Sequence, residues 1–166
     1  MNRSMLRALG FLFVAGFAQA DETAPDAKTT TEQFGDWQML CNQVADSERC
    51  RISQVLTNTS GQTVSVLNVF KDANGKRVVE LALPLMVDLL VPPTIRVDDQ
   101  ESTMHSYNLC NAQACFALIG DDALIEEFKA GQSAVISFKP VSAVETVQIG
   151  YSLKGFSRAL QALQSK

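Results

Sequence analysis

The spacing of the four cysteines indicates their chemistry more clearly than that of any other residues in this chain. Eight residues separate Cys41 from Cys50, and four separate Cys110 from Cys115. Four cysteines allow three pairings, but both of these loops can close without help from the tertiary fold, so we predict two local disulfides. Neither spacing matches the close spacing of zinc ligands, and no Cys-x-x-Cys redox motif occurs. We therefore predict structural cysteines in an oxidising compartment.

His105 is the only histidine, so any nucleophilic mechanism with a histidine base must use it. Ser102, Ser106, Asp98 and Asp99 are near it in the sequence and have the side chains of a hydrolase triad. The Gly-x-Ser-x-Gly motif that exposes a nucleophilic serine is absent. We therefore interpret His105 as a surface or strand residue, and a cofactor-free hydrolase using His105 is the weakest functional alternative.

Other patterns give little support for a metal or a cofactor. Asp98, Asp99 and Glu101 offer oxygen atoms to Ca²⁺, but their spacing does not match an EF-hand loop, and a solvated acidic turn is commoner. No glycine-rich phosphate loop or dinucleotide-binding motif occurs. No carboxylate pair stands out for glycoside hydrolysis. The sequence predicts no cofactor, no metal and no catalytic residue.

Residues 1–20 have the three parts of a secretory signal peptide. Arg3 and Arg7 precede a short apolar stretch, and Ala18-Gln19-Ala20 forms a cleavage site before Asp21. The apolar stretch is too short to span a bilayer, and no later segment comes close. Cleavage removes two basic residues, so the formal net charge of −4 becomes more negative. We expect an exported, acidic protein whose scattered basic residues do not bind nucleic acid.

The remaining chain has the pattern of a β-protein. Trp37, Met39 and Cys41 alternate along an extended segment, so they point to one face, which we expect to lie in a core. Short β-rich segments separated by turn residues follow, as in an all-β sandwich or barrel. The predicted strands are Arg49–Thr57, Thr63–Lys71, Val78–Leu83, Thr94–Val97, Met104–Cys110, Cys115–Ile119, Ser133–Lys139 and Glu145–Leu153. Leu85–Val91, flanked by prolines, is predicted to be a buried crossing or an edge segment.

Two short helices complete the prediction. Asp121-Asp122 favours a helix start, and Gly131 is placed to end that helix. Phe156, Leu160 and Leu163 have helical spacing, which predicts a C-terminal helix packed on the core. Residues 21–33 are Thr-rich and acidic, so they are predicted to be a flexible leader. Residues 34–166 are expected to form one domain with one core.

Several short motifs in this order resemble the invasion-associated locus B family over Phe34 to Leu163. They are Phe34-Gly35-Asp36-Trp37 with Cys41 and Cys50, Leu83-Pro84-Leu85 with Val97-Asp98, Cys110 with Cys115, and Leu153-Lys154-Gly155-Phe156. The resemblance implies a secreted, disulfide-bearing, immunoglobulin-like antiparallel β-sandwich of Gram-negative bacteria, in which Trp37, Gly155 and Phe156 belong to structural motifs. Met86, Thr94 and Ala114 stand where the family pattern has glycine, so the local turns are expected to differ.

The function that the resemblance implies is that of a non-enzymatic protein associated with host-cell invasion. We expect it to act through a protein partner on the envelope or the host surface, in the periplasm, at the outer membrane or as a secreted protein. Sandwich domains commonly present loops and strand edges to such partners. The alternative is an envelope-housekeeping or chaperone-like periplasmic factor. A long unpaired edge strand or an exposed apolar patch beside Leu85–Val91 would distinguish that alternative.

Overall fold

Two antiparallel sheets and two helices make up the described part of this chain, residues 29–44 and 47–166 of a computed structural model. The elements are β1 (Thr29–Phe34), β2 (Trp37–Val44), β3 (Ser47–Thr57), β4 (Thr63–Lys71), β5 (Arg77–Leu83), β6 (Thr94–Val97), β7 (Thr103–Met104), β8 (Leu109–Cys110), β9 (Cys115–Ile119), α1 (Asp122–Ala130), β10 (Ser133–Phe138), β11 (Val147–Ser152) and α2 (Phe156–Gln164). The larger sheet has the order β1-β2-β3-β4-β5-β9-β8, and the smaller has the order β11-β10-β6-β7. The predicted fold class, an all-β fold with one internal and one C-terminal helix, is confirmed.

The β3–β4 and β4–β5 hairpins form where turn residues separate alternating segments. In the first turn Asn58 Oδ1 accepts hydrogen bonds from the backbone N–H groups two and four residues further along the chain, and Asp72 Oδ1 does the same in the second turn. Gly61 and Gly75 supply the positive φ angles of 77° and 78° that close the turns. The sequence predicted both hairpins correctly.

One core lies between the sheets and the helices. The largest fully buried side chains are Trp37, Tyr151, Phe128, Phe156, Ile52, Leu67, Leu81, Leu83, Ile95, Ile125, Ile136 and Val69. Trp37, Met39 and Cys41 are all buried, so the predicted core-facing side of β2 is correct. Asp121 caps α1 by accepting from Ala123 N, and α2 buries the predicted stripe of Phe156, Leu160 and Leu163. No helix in the described ranges is long and apolar enough to cross a membrane.

Residues 29–33 correct one prediction. They were expected to end a flexible leader, but they form most of β1, which pairs with β2 at the edge of the larger sheet. Their side chains are exposed, so backbone hydrogen bonds rather than apolar burial hold this strand, and the sequence shows no apolar alternation there. The predicted signal peptide and residues 21–28 lie outside the described residues.

Two further segments differ from their predictions. Met104–Cys110 is not one strand, because β7 pairs with β6 in the smaller sheet whereas β8 pairs with β9 in the larger sheet. The chain changes sheet between them, and an alternating pattern does not show which sheet a residue joins. The segment Leu85–Val91 does cross between the sheets, but it is largely exposed, with Val87 as its buried residue. Val87 forms an isolated bridge with Pro140.

Candidate functional site

Residues from opposite ends of the sequence meet where the two sheets join. Asp36 N donates to Lys154 O at 3.0 Å, and the Trp37 indole Nε1 donates to Ser152 O at 2.9 Å. The Phe156 ring packs edge-on against the Trp37 ring, with centroids 4.9 Å apart. We call residues 34–37 and 152–156 the inter-sheet junction. It brings the motif at the start of the domain onto the motif near its end.

Gln54 completes the inter-sheet junction from β3. Its Nε2 donates to Asp36 O at 3.0 Å and to Ser152 O at 2.9 Å, and its Oε1 accepts from Ser152 N at 2.9 Å. Both the nitrogen and the oxygen of this buried amide therefore have hydrogen-bond partners, as is usual for buried polar groups. Gln54 was not among the site residues predicted from the sequence. The available signal was a glutamine at a core-facing position of a predicted strand.

Two glycines allow the backbones of the inter-sheet junction to touch. Gly155 has a φ of 93°, and a Cβ there would lie 1.9 Å from Phe34 O. A Cβ on Gly35, with a φ of 62°, would lie 2.6 Å from Lys154 O. Side chains at these positions would both clash and strain the backbone. Trp37, Gly155 and Phe156, the motif residues of the sequence prediction, thus join the two sheets by packing.

Both predicted disulfides are confirmed. Cys41–Cys50 and Cys110–Cys115 each join residues directly opposite each other on adjacent strands, with Cα atoms 4.0 Å apart. Within the described ranges, the one group with metal-ligand spacing combines Cys41 and Cys50 with Glu48. Both sulfurs are used in the disulfide, and Glu48 forms a salt bridge with Lys166 at 3.2 Å. This group therefore has no thiolate to offer a metal.

Asp98 is engaged with the backbone that follows α1. Its Oδ2 accepts from Gln132 N at 2.9 Å, and its Oδ1 accepts from Ser133 N at 2.9 Å and Ser133 Oγ at 3.0 Å. These hydrogen bonds lower the pKa of Asp98 from its ordinary value, and the two from backbone N–H groups have the largest effect. The carboxylate considered for calcium binding and for catalysis therefore holds the start of β10 against the end of β6.

His105 lies in the connection that follows β7. Its Nε2 is 2.8 Å from Thr103 Oγ, and its backbone N donates to Pro93 O at 2.9 Å. Burial lowers the pKa of His105, opposed by the negative charge of Asp121. A triad needs a carboxylate that orients the histidine. The oxygens of Asp98, one of the candidates for that role, are bound to Gln132 and Ser133.

Two adjacent loops carry a group of exposed apolar side chains that we call the apolar loop patch. Its members are Leu85, Met86, Leu89, Leu90, Val141 and Val144. Leu90 and Val144 are the most exposed, at 92% and 90%. Val141 N donates to Met86 O at 2.8 Å, which ties the two loops together. Exposed apolar side chains on neighbouring loops are a feature of interaction surfaces.

Hydrogen bonds give the apolar loop patch a defined backbone. Asp88 N donates to Lys139 O at 2.7 Å, and Val91 N donates to Asp88 O at 3.1 Å. The Asp88 side chain accepts from Leu90 N at 3.1 Å, and it lies 3.8 Å from Lys139 Nζ. The leucines are therefore displayed from an ordered turn, which lowers the entropy lost when a partner binds.

Met86 has the least favourable backbone of the apolar loop patch. Its φ of 66° is in the left-handed region, which residues other than Gly, Asn and Asp rarely enter. Met86 is one of the three positions at which the resemblance led us to expect glycine, and it adopts a backbone conformation that glycine enters readily. Strained residues often occur at functional sites. Met86 was singled out from the sequence as a position where glycine was expected. Val141 and Val144 were not, because no strand or helix pattern includes them.

Comparisons with known proteins show which family and which solved structure this chain is similar to. The family model described as "Invasion associated locus B (IalB) protein" matches residues 37–164. Invasion protein B homologs of Brucella abortus strain 2308 and of Brucella abortus biovar 1 strain 9-941 are each 28% identical over 141 residues, covering 84% of this chain and 82% of the relative. The crystal structure of invasion associated protein B from Bartonella henselae has a TM-score of 0.71 at 22% identity, covering 82% of this chain and 95% of the other.

Proposed function

We propose, from the premise that this chain belongs to the Invasion associated locus B (IalB) protein family, that it is an exported bacterial protein that acts by binding a folded protein partner. The apolar loop patch is the observation that carries this proposal. Two disulfides suit a chain that folds in an oxidising compartment. The names of the Brucella and Bartonella relatives speak of invasion, and we extend that role here as binding to a protein of the envelope or of the host surface.

The chemistry of the apolar loop patch favours a protein over a small solute. Its side chains are aliphatic or Met, and they are exposed on two neighbouring loops. Met side chains adapt to the shape of an opposing surface. Burying a leucine as exposed as Leu90 in an interface contributes about 1.5 to 3 kcal/mol, so a few such residues suffice for specific association.

Site-specific photocrosslinking in living bacteria tests this proposal. Leu90 is replaced by the photoreactive p-benzoylphenylalanine, and the matched control carries the same group at Gln161, an exposed residue of α2. We expect a discrete protein adduct from position 90 and none from position 161. Bacteria alone and bacteria with host cells distinguish an envelope partner from a host partner. Identical adducts from both positions, or none from position 90, would contradict the proposal.

A chaperone-like envelope factor remains the second candidate, because the exposed apolar patch beside Leu85–Val91 is the feature that was expected to distinguish it. Such a factor would hold unfolded chains rather than one folded partner. The two functions differ in a simple assay, in which the protein is added to a reduced, aggregating client protein. Suppression of aggregation that Leu90→Ser abolishes favours the chaperone-like function. Absence of suppression together with a discrete crosslinked adduct favours a specific partner.

A further inference from the structure

The outer face of the larger sheet, which points away from the core, carries a compact group of four side chains. Arg51 lies directly opposite Phe70 across β3 and β4, and Asn68 lies directly opposite Glu80 across β4 and β5. Side chains alternate along a strand, and Ile52 and its cross-strand partner Val69 point into the core. The four residues of this group occupy the alternate positions, so they face outward. We call these four residues the outer-face cluster. It shares no residue with the apolar loop patch.

All four residues line an open cavity of about 910 Å³, whose lining also includes Leu163 and Lys166 from the opposite side of the sheet. A second cavity of about 540 Å³ on the same face is also lined by Arg51 and Asn68. Small-molecule sites have volumes of about 300 to 1,000 Å³, so each cavity alone accommodates a small ligand. Arg51 and Asn68 line both cavities, so they stand between the two.

Asn68 has a buried side-chain oxygen that lacks a hydrogen-bond donor. The side chain is only 8% exposed, and its Nδ2 donates to Glu80 Oε1 at 2.8 Å, which fixes the orientation of the amide. Its Oδ1 is buried and has no hydrogen-bond partner. Buried acceptors without donors are rare in native proteins, and each one requires an explanation. A ligand hydroxyl or N–H group would supply the missing donor.

The neighbours of Asn68 indicate which other chemical groups the ligand has. Arg51 is exposed, and among the described residues no carboxylate forms a salt bridge with it, so its guanidinium is available to an acceptor. Glu80 has a second oxygen that can accept a further donor. Phe70 is half-buried and offers an apolar aromatic surface. The ligand therefore combines closely spaced donors and acceptors with an apolar face.

Charge in the cavity favours a neutral ligand over a phosphate. The lining includes both cations and anions, namely Arg49, Arg51, Lys71 and Lys166 with Glu48, Asp72 and Glu80. The three carboxylates nearly balance the four cations, so the cavity offers a polyanion little net attraction. A pyranose sugar has the required combination, since its hydroxyls both donate and accept while its C–H groups form an apolar face.

We propose that the outer-face cluster binds carbohydrate, with a pyranose ring against Phe70. Sugar hydroxyls donate to Asn68 Oδ1 and to Glu80, and one accepts from Arg51. Because Asn68 Oδ1 is covered in the free protein, a neighbouring side chain moves as the sugar enters. Arg51 is the long, exposed residue diagonal to Asn68 that can do so. This site does not depend on the protein-binding proposal.

Saturation-transfer NMR and calorimetry with the exported chain, both disulfides intact, test this site. The probes are N-acetylchitotriose, which has the chemistry of cell-wall sugars, lactose, which has that of host glycans, and maltotriose. Two variants retain the fold, Arg51→Ala at an exposed position and Phe70→Leu, which keeps an apolar side chain. Arg158→Ala is the matched control, since Arg158 is an exposed arginine of α2 outside the cavity.

We expect at least one probe to bind, and the identity of the probe distinguishes a cell-wall source from a host source. Arg51→Ala should weaken binding about tenfold, the loss expected for one hydrogen bond to a charged group. Phe70→Leu should also weaken binding, whereas Arg158→Ala should leave it unchanged. The proposal is overturned if no probe binds the wild-type protein, or if Arg51→Ala and Phe70→Leu bind as the wild type does.

Discussion

Replacing Gly155 by alanine tests whether the inter-sheet junction holds the two sheets together. The new Cβ would lie 1.9 Å from Phe34 O and 2.5 Å from Phe34 C. Both atoms belong to the backbone, so no flexible side chain can move away to make room. Either β1 or the chain before α2 must shift, and the shift pulls Lys154 O away from Asp36 N.

Two contributions set the magnitude. An alanine held in the left-handed region costs about 1 to 2 kcal/mol relative to glycine. The shift also weakens the Asp36–Lys154 and Trp37–Ser152 hydrogen bonds, each of which contributes about 1 kcal/mol. We therefore expect the free energy of unfolding to fall by about 3 to 4 kcal/mol. In a domain of this size that corresponds to a decrease in Tm of about 10 °C.

Gly75→Ala is a matched control for the strain alone. Gly75 has a φ of 78°, and a Cβ there would meet no atom within 4 Å. It should lose only the contribution of about 1 to 2 kcal/mol from the left-handed conformation. Urea denaturation followed by the fluorescence of Trp37, the only tryptophan, measures both variants. Equal losses in the two variants would refute the role assigned to the inter-sheet junction.

Three further predictions concern single side chains. Cys41→Ser should lower the free energy of unfolding by about 2 to 5 kcal/mol, while Cys110→Ser should loosen mainly the β8–β9 hairpin. Hydrogen exchange of the two hairpins would show the difference. Since the folded state lowers the pKa of Asp98 below 3.8, its carboxylate stabilises the protein above that pH, and this contribution is lost as the pH falls through the folded-state pKa. Denaturation at a series of pH values should show the stability of wild type and Asp98→Asn converging on acidification. Met86→Gly should relieve the left-handed strain and leave stability unchanged or raised by about 1 kcal/mol, yet reduce the crosslinking yield at position 90. A loss of stability in this variant would contradict the strain assigned to Met86.

Local features of the sequence predicted much of the fold. Alternation predicted the long strands of the larger sheet, and short loops between cysteines predicted both disulfides. Asn74-Gly75 predicted the turn between β4 and β5. Each of these signals is contained within about ten consecutive residues, so the sequence alone suffices to recognise it.

Features that depend on pairing between distant segments were not predicted. The edge strand β1 is polar, and it is held by its register with β2 rather than by a pattern of its own. Leu89 and Leu90 are apolar, and only the crossing geometry shows that they are exposed. Asn68 and Gln54 acquire their roles from side chains that the sheet register places beside them. The candidate sites therefore required the structure, although most of the elements that carry them did not.

The inter-sheet junction also sets an order of events while the protein folds. Trp37 lies near the start of the domain, and the carbonyl that its indole binds is 115 residues further along the chain. This indole therefore stays without its cover until the segment that carries Ser152 and Phe156 has folded back onto it. A product that stops short of Phe156 keeps its only tryptophan exposed and is a substrate for proteases. Burial of Trp37 therefore depends on the presence of β11 and α2.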